Sequence, residues 1–304
     1  MSSKYFSSER LSLHLGDSLT AAKNIETGSI SCIVTSPPYY GLRDYGNDGQ
    51  LGAEESPAEY VANLVDLFSE LRRSLADDGT LWLNLGDSYA GSLGKRNGGI
   101  ASKNLMGMPW RVAFGLQDDG WILRSEIIWH KPNAIPESVT DRPTKSHETV
   151  FLFSKSAKYF YDADAVKEEA VSSHPAGNKK HKYADAYVQE SVSGNQQHRT
   201  KAGLLALSGV KWKKRNRRTV WTVPTAPFAE AHFAVYPPEL IRPCILAGSR
   251  PGGVVLDPFS GSGTTGMVAL EEGRNYIGVD LNSDYLDLSL RTRLAGYIEM
   301  EQAA

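Results

Sequence analysis

Leu11, Leu13 and Leu15 alternate with polar neighbours and run into Gly16-Asp17, the pattern of a half-buried strand that ends in a loop. Residues 30–35 form a second short apolar run, closed by Ser36-Pro37-Pro38. Neither proline has an N–H to give to a sheet ladder, so a loop begins there. Ser56, Pro57 and Glu59 then make a helix start, with the cap, the proline at the first helical position and the acidic residue in the first turn. Tyr60, Leu64, Leu67, Leu71 and Leu75 continue at helical spacing, which predicts a helix that stops near Gly79. Residues 80–85 read as a strand ending in Asn84-Leu85-Gly86-Asp87, residues 108–116 as a short helix, and residues 121–129 and 148–153 as two further strands.

This periodicity fades after Asp162, and residues 164–218 are rich in His, Lys, Asn, Gln and Ser. The alternation then returns: a helix over 238–247, a strand over 254–257, a helix after Gly263, a strand over 276–280 and a terminal helix from Ser283. There are no internal repeats. Such alternation predicts an α/β fold, a doubly wound and mostly parallel sheet with helices on both faces and a loop-rich insert. The chain accordingly divides into residues 1–163, an insert at 164–221, and residues 222–304.

Composition narrows the class. In 304 residues, 41% are hydrophobic and 10% aromatic, which excludes a disordered or fibrous chain. No apolar run approaches the roughly 20 residues that span a bilayer. The first ten residues hold no hydrophobic signal core, and two cysteines, Cys32 and Cys244, are too few for a disulfide framework. The seven histidines lack ligand spacing, so no metal is expected. These features point to a cytoplasmic enzyme without a membrane partner. The net charge of −2 leans away from a polyanionic partner until its distribution is considered. Residues 191–229 carry Arg199, Lys201, Lys211, Lys213, Lys214, Arg215, Arg217 and Arg218 and no Asp or Glu, whereas residues 44–87 hold ten carboxylates. A basic stretch of this kind, with Trp212 and Trp221 beside it, suits nucleic acid phosphates, although such runs also occur as solvated faces.

Two motifs carry chemistry. Asp257-Pro258-Phe259-Ser260-Gly261-Ser262-Gly263-Thr264-Thr265-Gly266 follows one predicted strand, and Asp280 ends the next. Glycines at 261, 263 and 266 allow close backbone approach to a nucleotide-like ligand, and a strand-end carboxylate accepts from both ribose hydroxyls. The Asp257 carboxylate would repel a pyrophosphate but suits an ammonium, which favours S-adenosylmethionine over a dinucleotide. The second motif is Ser36-Pro37-Pro38-Tyr39. An exocyclic amine on a nucleobase is a poor nucleophile because its lone pair is conjugated with the ring. The Ser36 hydroxyl and the Pro37 carbonyl can each accept one of its N–H hydrogens and draw the nitrogen toward tetrahedral geometry, while Tyr39 offers a face to a flipped base.

Together and in this order, the S-P-P-Y and D-P-F-x-G-x-G-T-T motifs resemble the amino-methyltransferases of DNA, in their β arrangement. The resemblance spans nearly the whole chain apart from residues 164–218. It implies S-adenosylmethionine as cofactor, double-stranded DNA as substrate, and a target recognition domain in the insert. It also implies a monomer or homodimer, prokaryotic or phage-encoded, with a cognate restriction endonuclease as a functional companion. Catalytic roles fall on Ser36, Pro37, Pro38 and Tyr39. Cofactor contacts fall on Asp17, Ser18, Phe233, Asp257, Phe259, Gly261, Gly263, Thr264, Thr265, Asp280 and Asn282, with Asp17 beside the cofactor adenine. DNA contacts fall on the eight cations of residues 191–229. The residues from Ile128 to Asn133 are similar to the family's W-x-K-x-N region near the target base; Trp129 is equally readable as a core residue. Serine at the first motif position marks cytosine-N4 enzymes in this family. The rival readings are an adenine-N6 enzyme of the same family, a nicotinamide-dependent oxidoreductase on the same glycine loop, and a catalytically silent DNA-binding module.

Overall fold

The alternating leucines of residues 11–15 form strand β2 (Leu11–Leu15), and β1 (Ser3–Ser7) pairs antiparallel against it. A computed structural model describes residues 3–42, 49–91, 97–170, 214–225 and 236–302. Helix α1 (Ser18–Lys23), capped by Asp17, leads into β3 (Ile30–Thr35). Helix α2 (Pro57–Ser74) starts as its sequence signals require, with the Ser56 hydroxyl accepting from the Glu59 N–H at 3.2 Å. It stops short of the predicted end near Gly79. Leu75 turns to extended backbone and pairs with Ile30, opening β4 (Leu75–Leu85), because strand pairing outweighs a one-turn continuation of the helical stripe.

Helix α3 (Met108–Asp118) precedes β5 (Ile122–His130) and β6 (His147–Ser154). Further on lie β7 (Glu168–Glu169), β8 (Lys214–Arg215) and β9 (Val220–Thr222). The chain ends with α4 (Pro238–Gly248), β10 (Val254–Asp257), α5 (Thr264–Glu271), β11 (Asn275–Asp280), α6 (Ser283–Arg291) and α7 (Ala295–Gln302). Among the described residues no helix is long and apolar enough to cross a membrane.

Nine strands of the described residues form one sheet in the order β1-β2-β11-β10-β3-β4-β6-β5-β9. From β2 to β4 all neighbours are parallel, and β6 then runs antiparallel to both β4 and β5. The period of two along the strands separates the faces. Leu81, Leu83, Phe151, Phe153, Leu256 and Val279 join α1, α2 and α3 in one buried cluster. On the other face Thr80 and Trp82 meet α4, where a Cβ on Gly248 would come within 2.6 Å of both side chains.

Two compact units emerge, Met1–Ala165 with Arg218–Ala304, and Val166–Arg217. In the smaller unit the described strands β7 and β8 form an antiparallel pair. The sequence placed the end of the insert at 221, but β9 already belongs to the large sheet, parallel to β5. Trp221 is buried there, not displayed beside the basic stretch.

Candidate active site

Every motif singled out in the sequence sits at the carboxyl ends of the parallel strands. The chain leaves β10 toward β11 on one side and β3 toward β4 on the other, so the crevice opens between β10 and β3, where such sheets take their ligands. The two motifs touch at that point. Thr35, the last residue of β3, donates its hydroxyl to Asp257 Oδ1 at 2.6 Å.

Asp257 is 1% exposed and receives three more donors: the Phe259 N–H at 3.0 Å, the Thr265 hydroxyl at 2.6 Å and the Tyr236 hydroxyl at 3.0 Å. Tyr236 and Thr265 also reach each other, and with one proton apiece a bond between them is one donor fewer for Asp257. Burial pushes the Asp257 carboxyl above its ordinary range, against the pull of these donors. A carboxylate offers about four lone-pair positions. Protein donors engage both oxygens, so Asp257 fastens the loop to β3 and to Tyr236.

The glycine loop takes the shape its composition predicts. Gly261 and Gly263 lie in the left-handed region at φ 50° and 80°, and Gly263 caps α5. At Gly266 a Cβ would meet the Tyr276 ring at 2.5 Å, so this glycine lets α5 lie on β11. Asp280 accepts from the Gly261 N–H at 2.8 Å and the Asn282 N–H at 2.9 Å, and burial raises its pKa to about 6. Ser262 Oγ and Thr264 Oγ1 are buried without a protein partner among the described residues, unusual for buried hydroxyls. These orphaned hydroxyls beside a strand-end carboxylate fit a polar, nucleoside-bearing cofactor.

At the second motif, Ser36 is half-buried and Pro37 buried. The Pro38 carbonyl is taken by the Tyr60 hydroxyl at 2.8 Å, whereas no donor among the described residues reaches that of Pro37. Asn84, at the end of β4, places Nδ2 3.2 Å from Ser36 Oγ, 2.6 Å from Tyr39 Oη and 2.9 Å from Glu148 Oε2. Tyr39 donates to Glu148 at 2.6 Å, and Lys131 pairs with the other Glu148 oxygen. Burial and the Glu148 charge drive the Tyr39 hydroxyl well above its usual pKa, so it stays a donor. The Tyr39 ring rests on Gly86, where a Cβ would come within 2.4 Å of Cε2.

With that geometry, the comparisons with known proteins become decisive. The model of a DNA methylase family, N6_N4_Mtase, matches residues 30–291. The chain belongs to this N6/N4 DNA methylase family. Type II methyltransferase M.Cfr9I of Citrobacter freundii is 48% identical over 299 residues, covering 92% of this chain and 86% of its own. Among solved structures, the PvuII DNA methyltransferase (cytosine-N4-specific) superposes with a TM-score of 0.65 at 21% identity, covering 93% of this chain and 86% of its own. TTHA0409 of Thermus thermophilus, complexed with S-adenosyl-L-methionine, gives 0.59 at 21% identity, covering 93% and 94%. At such identity these two likenesses speak for the fold.

In this methylase several residues expected to meet the cofactor have structural duties. Ser18 donates to the Pro258 carbonyl at 2.6 Å and ties α1 to the glycine loop. Asn282 caps α6 by accepting from the Asp284 N–H at 2.8 Å. Asp17 uses Oδ1 to hold the Thr20 N–H and hydroxyl, both at 2.8 Å, which leaves Oδ2 without a protein partner among the described residues. Trp129 is a core residue, 3% exposed, with Nε1 donating to the Val223 carbonyl at 2.8 Å; the base-contact reading gives way to packing. Asn133 clamps Thr225 through two hydrogen bonds.

Of the cations, Lys214 and Arg215 lie on β8, and Arg215 is paired with Glu168 at 2.8 Å. Arg199, Lys201, Lys211, Lys213 and Phe233 fall outside the described residues. The sequence reading missed Asn84, Glu148 and Tyr236 as site residues. Asn84 was legible as a polar residue at a strand's carboxyl end beside β3. Glu148 and Tyr236 have no local signal: the pairing of β6 with β4 brings in the first, and the second reaches Asp257 from just before α4.

Proposed function

We propose that this methylase transfers the methyl group of S-adenosylmethionine to the exocyclic N4 of a cytosine flipped out of duplex DNA. One observation carries the reading: a neutral hydroxyl, Ser36, and a carbonyl without a protein donor among the described residues, Pro37, stand next to each other at the switch point, one residue beyond the Thr35–Asp257 link. The S-P-P-Y sequence and the cytosine-N4 specificity of the PvuII enzyme support cytosine over adenine. The TTHA0409 complex supports the cofactor. When bound, that cofactor supplies an electrophilic methyl on a positively charged sulfur.

The chain's own residues do the rest. Asp280 and the Gly261–Thr265 backbone would hold the nucleoside end, and Asp17 Oδ2 would accept from the adenine amine. Ser36 and the Pro37 carbonyl would take the two amine hydrogens of the target and turn its lone pair out of the ring, with Tyr39 beside the base. The N–C bond forms as the C–S bond breaks, and the amine sheds one proton to water. No covalent intermediate is required, and orientation supplies most of the acceleration. The cations of residues 199–218 would bind DNA phosphates, with Arg215 already engaged by Glu168. The Type II designation of the Citrobacter freundii relative supports a companion endonuclease for the same site.

Methylated DNA digested to nucleosides and read by mass spectrometry tests the target. N4-methylcytosine is the expected product, and N6-methyladenine alone would overturn the choice. Ser36→Ala should lower kcat by about 100-fold, the loss of one donor–acceptor contact made in the transition state, with cofactor affinity retained. Wild-type turnover in that variant would remove Ser36 from the reaction.

A further inference from the structure

A serine hydroxyl carries one proton and two lone pairs, so it accepts from an amine only if its own proton is directed elsewhere. In this protein the proton has a definite destination. Ser36 Oγ donates to Tyr39 Oη at 3.3 Å, and Tyr39 can accept because its own proton goes to Glu148 Oε2 at 2.6 Å. Asn84 Nδ2 has two hydrogens for three acceptors, Tyr39 Oη at 2.6 Å, Glu148 Oε2 at 2.9 Å and Ser36 Oγ at 3.2 Å, so at least one Ser36 lone pair stays open to the amine. The direction of the whole chain is set at its far end. Glu148 as a carboxylate is acceptor-only, and its second oxygen is held by Lys131.

We propose that Glu148 is a positioning residue for methyl transfer: acting through Tyr39, it orients the Ser36 hydroxyl so that a lone pair faces the target amine. The inference rests on the assignment of Ser36 as an amine acceptor. It assigns a role to a residue 109 positions from Tyr39 in sequence that no motif identifies. The high pKa of Tyr39 agrees with a phenol that keeps its proton and hands it to Glu148.

Glutamine at this position has the right shape and the wrong polarity. Its amide oxygen can serve either Lys131 or the Tyr39–Asn84 side, not both. With the NH2 group toward Tyr39, the phenol must accept, and its proton then turns onto Ser36. The Tyr39 proton then occupies a Ser36 lone pair, and the serine proton, having lost its acceptor, points at an amine that also donates.

The test compares the full-length wild type, E148Q, Y39F and the double variant in steady-state methylation of duplex DNA with tritiated S-adenosylmethionine, alongside calorimetric cofactor binding. E148Q should lose about tenfold or more in kcat, at least about 1.4 kcal/mol of barrier, with the DNA KM and the cofactor Kd within about threefold of wild type. In the Y39F background the same change should cost no more than about threefold, because the link it acts through is gone. Wild-type kcat in E148Q overturns the proposal. So do additive effects in the double variant, and so does a loss of cofactor affinity that parallels the loss of rate. Should E148Q not fold, Y39F alone carries the test: kcat falls at unchanged KM if the link operates and stays at the wild-type value if it does not. Failure of the underlying reading looks different, since the wild type would then leave no methyl on cytosine N4.

Discussion

Asp280 shows how one side chain can pull stability and binding in opposite directions. Burial raises its pKa to about 6 in the folded chain from an ordinary value of 3.8. The fold therefore holds this proton more tightly than the unfolded chain does. The stability so contributed is complete below about pH 3.8 and lost as the pH rises through about 6. A ribose needs the charged form, so cofactor binding should weaken over the same window, by about tenfold at one pH unit below the pKa. Calorimetric titration from about pH 7.5 to about pH 5 should show that slope in the wild type and none in Asp280→Asn. A flat wild-type profile would take the ribose away from Asp280. At this scale the sequence was informative wherever a residue acts through its immediate neighbours: the left-handed glycines of the loop, the Ser56 cap, the strand-end carboxylates. It did not reveal the partners of Asp257 and Ser18, which lie 222 and 240 positions away, whereas the Asn282 cap on the Asp284 N–H is a local one.

Elements were legible to within a few residues wherever an apolar period ran unbroken. The helix over 57–74 is the instructive exception, since Leu75 continues the stripe yet belongs to β4. β1 and β9 escaped notice because Ser3–Ser7 lacks the clean alternation of β2 and three residues are too few for a period, and both exist by pairing with β2 and β5. Packing between elements makes two glycines testable. Gly86→Ala would drive a methyl into the Tyr39 ring, displacing it from Glu148; kcat should fall at least about tenfold, and unfolding by urea should show a loss of about 1–3 kcal/mol. Gly266→Ala would press α5 off Tyr276 on β11, with a similar stability cost of about 1–3 kcal/mol. Its rate loss should follow weakened cofactor binding, unlike that of Gly86→Ala, and saturating cofactor should restore it.

For the whole molecule, a net charge of −2 conceals a division between a carboxylate-rich stretch at 44–87 and a basic one at 191–229. DNA affinity should fall steeply with salt, and replacing Arg199, Lys201, Lys211 and Lys213 with alanine should flatten the slope of log K against log salt by about 3–4. An unchanged slope would place phosphate contacts elsewhere. The α/β class, the order of the two motifs and the glycine loop were all determined by the sequence alone, because periodicity and turn chemistry act over a few residues. Only the tertiary structure decided which polar atoms meet. The parallel pairing of β10 with β3 brings Thr35 to Asp257, and the antiparallel return of β6 against β4 sets Glu148 beside Asn84 and Tyr39. A sequence encodes each strand's faces in its own alternation; which strand ends share a crevice follows from pairing between segments far apart along the chain.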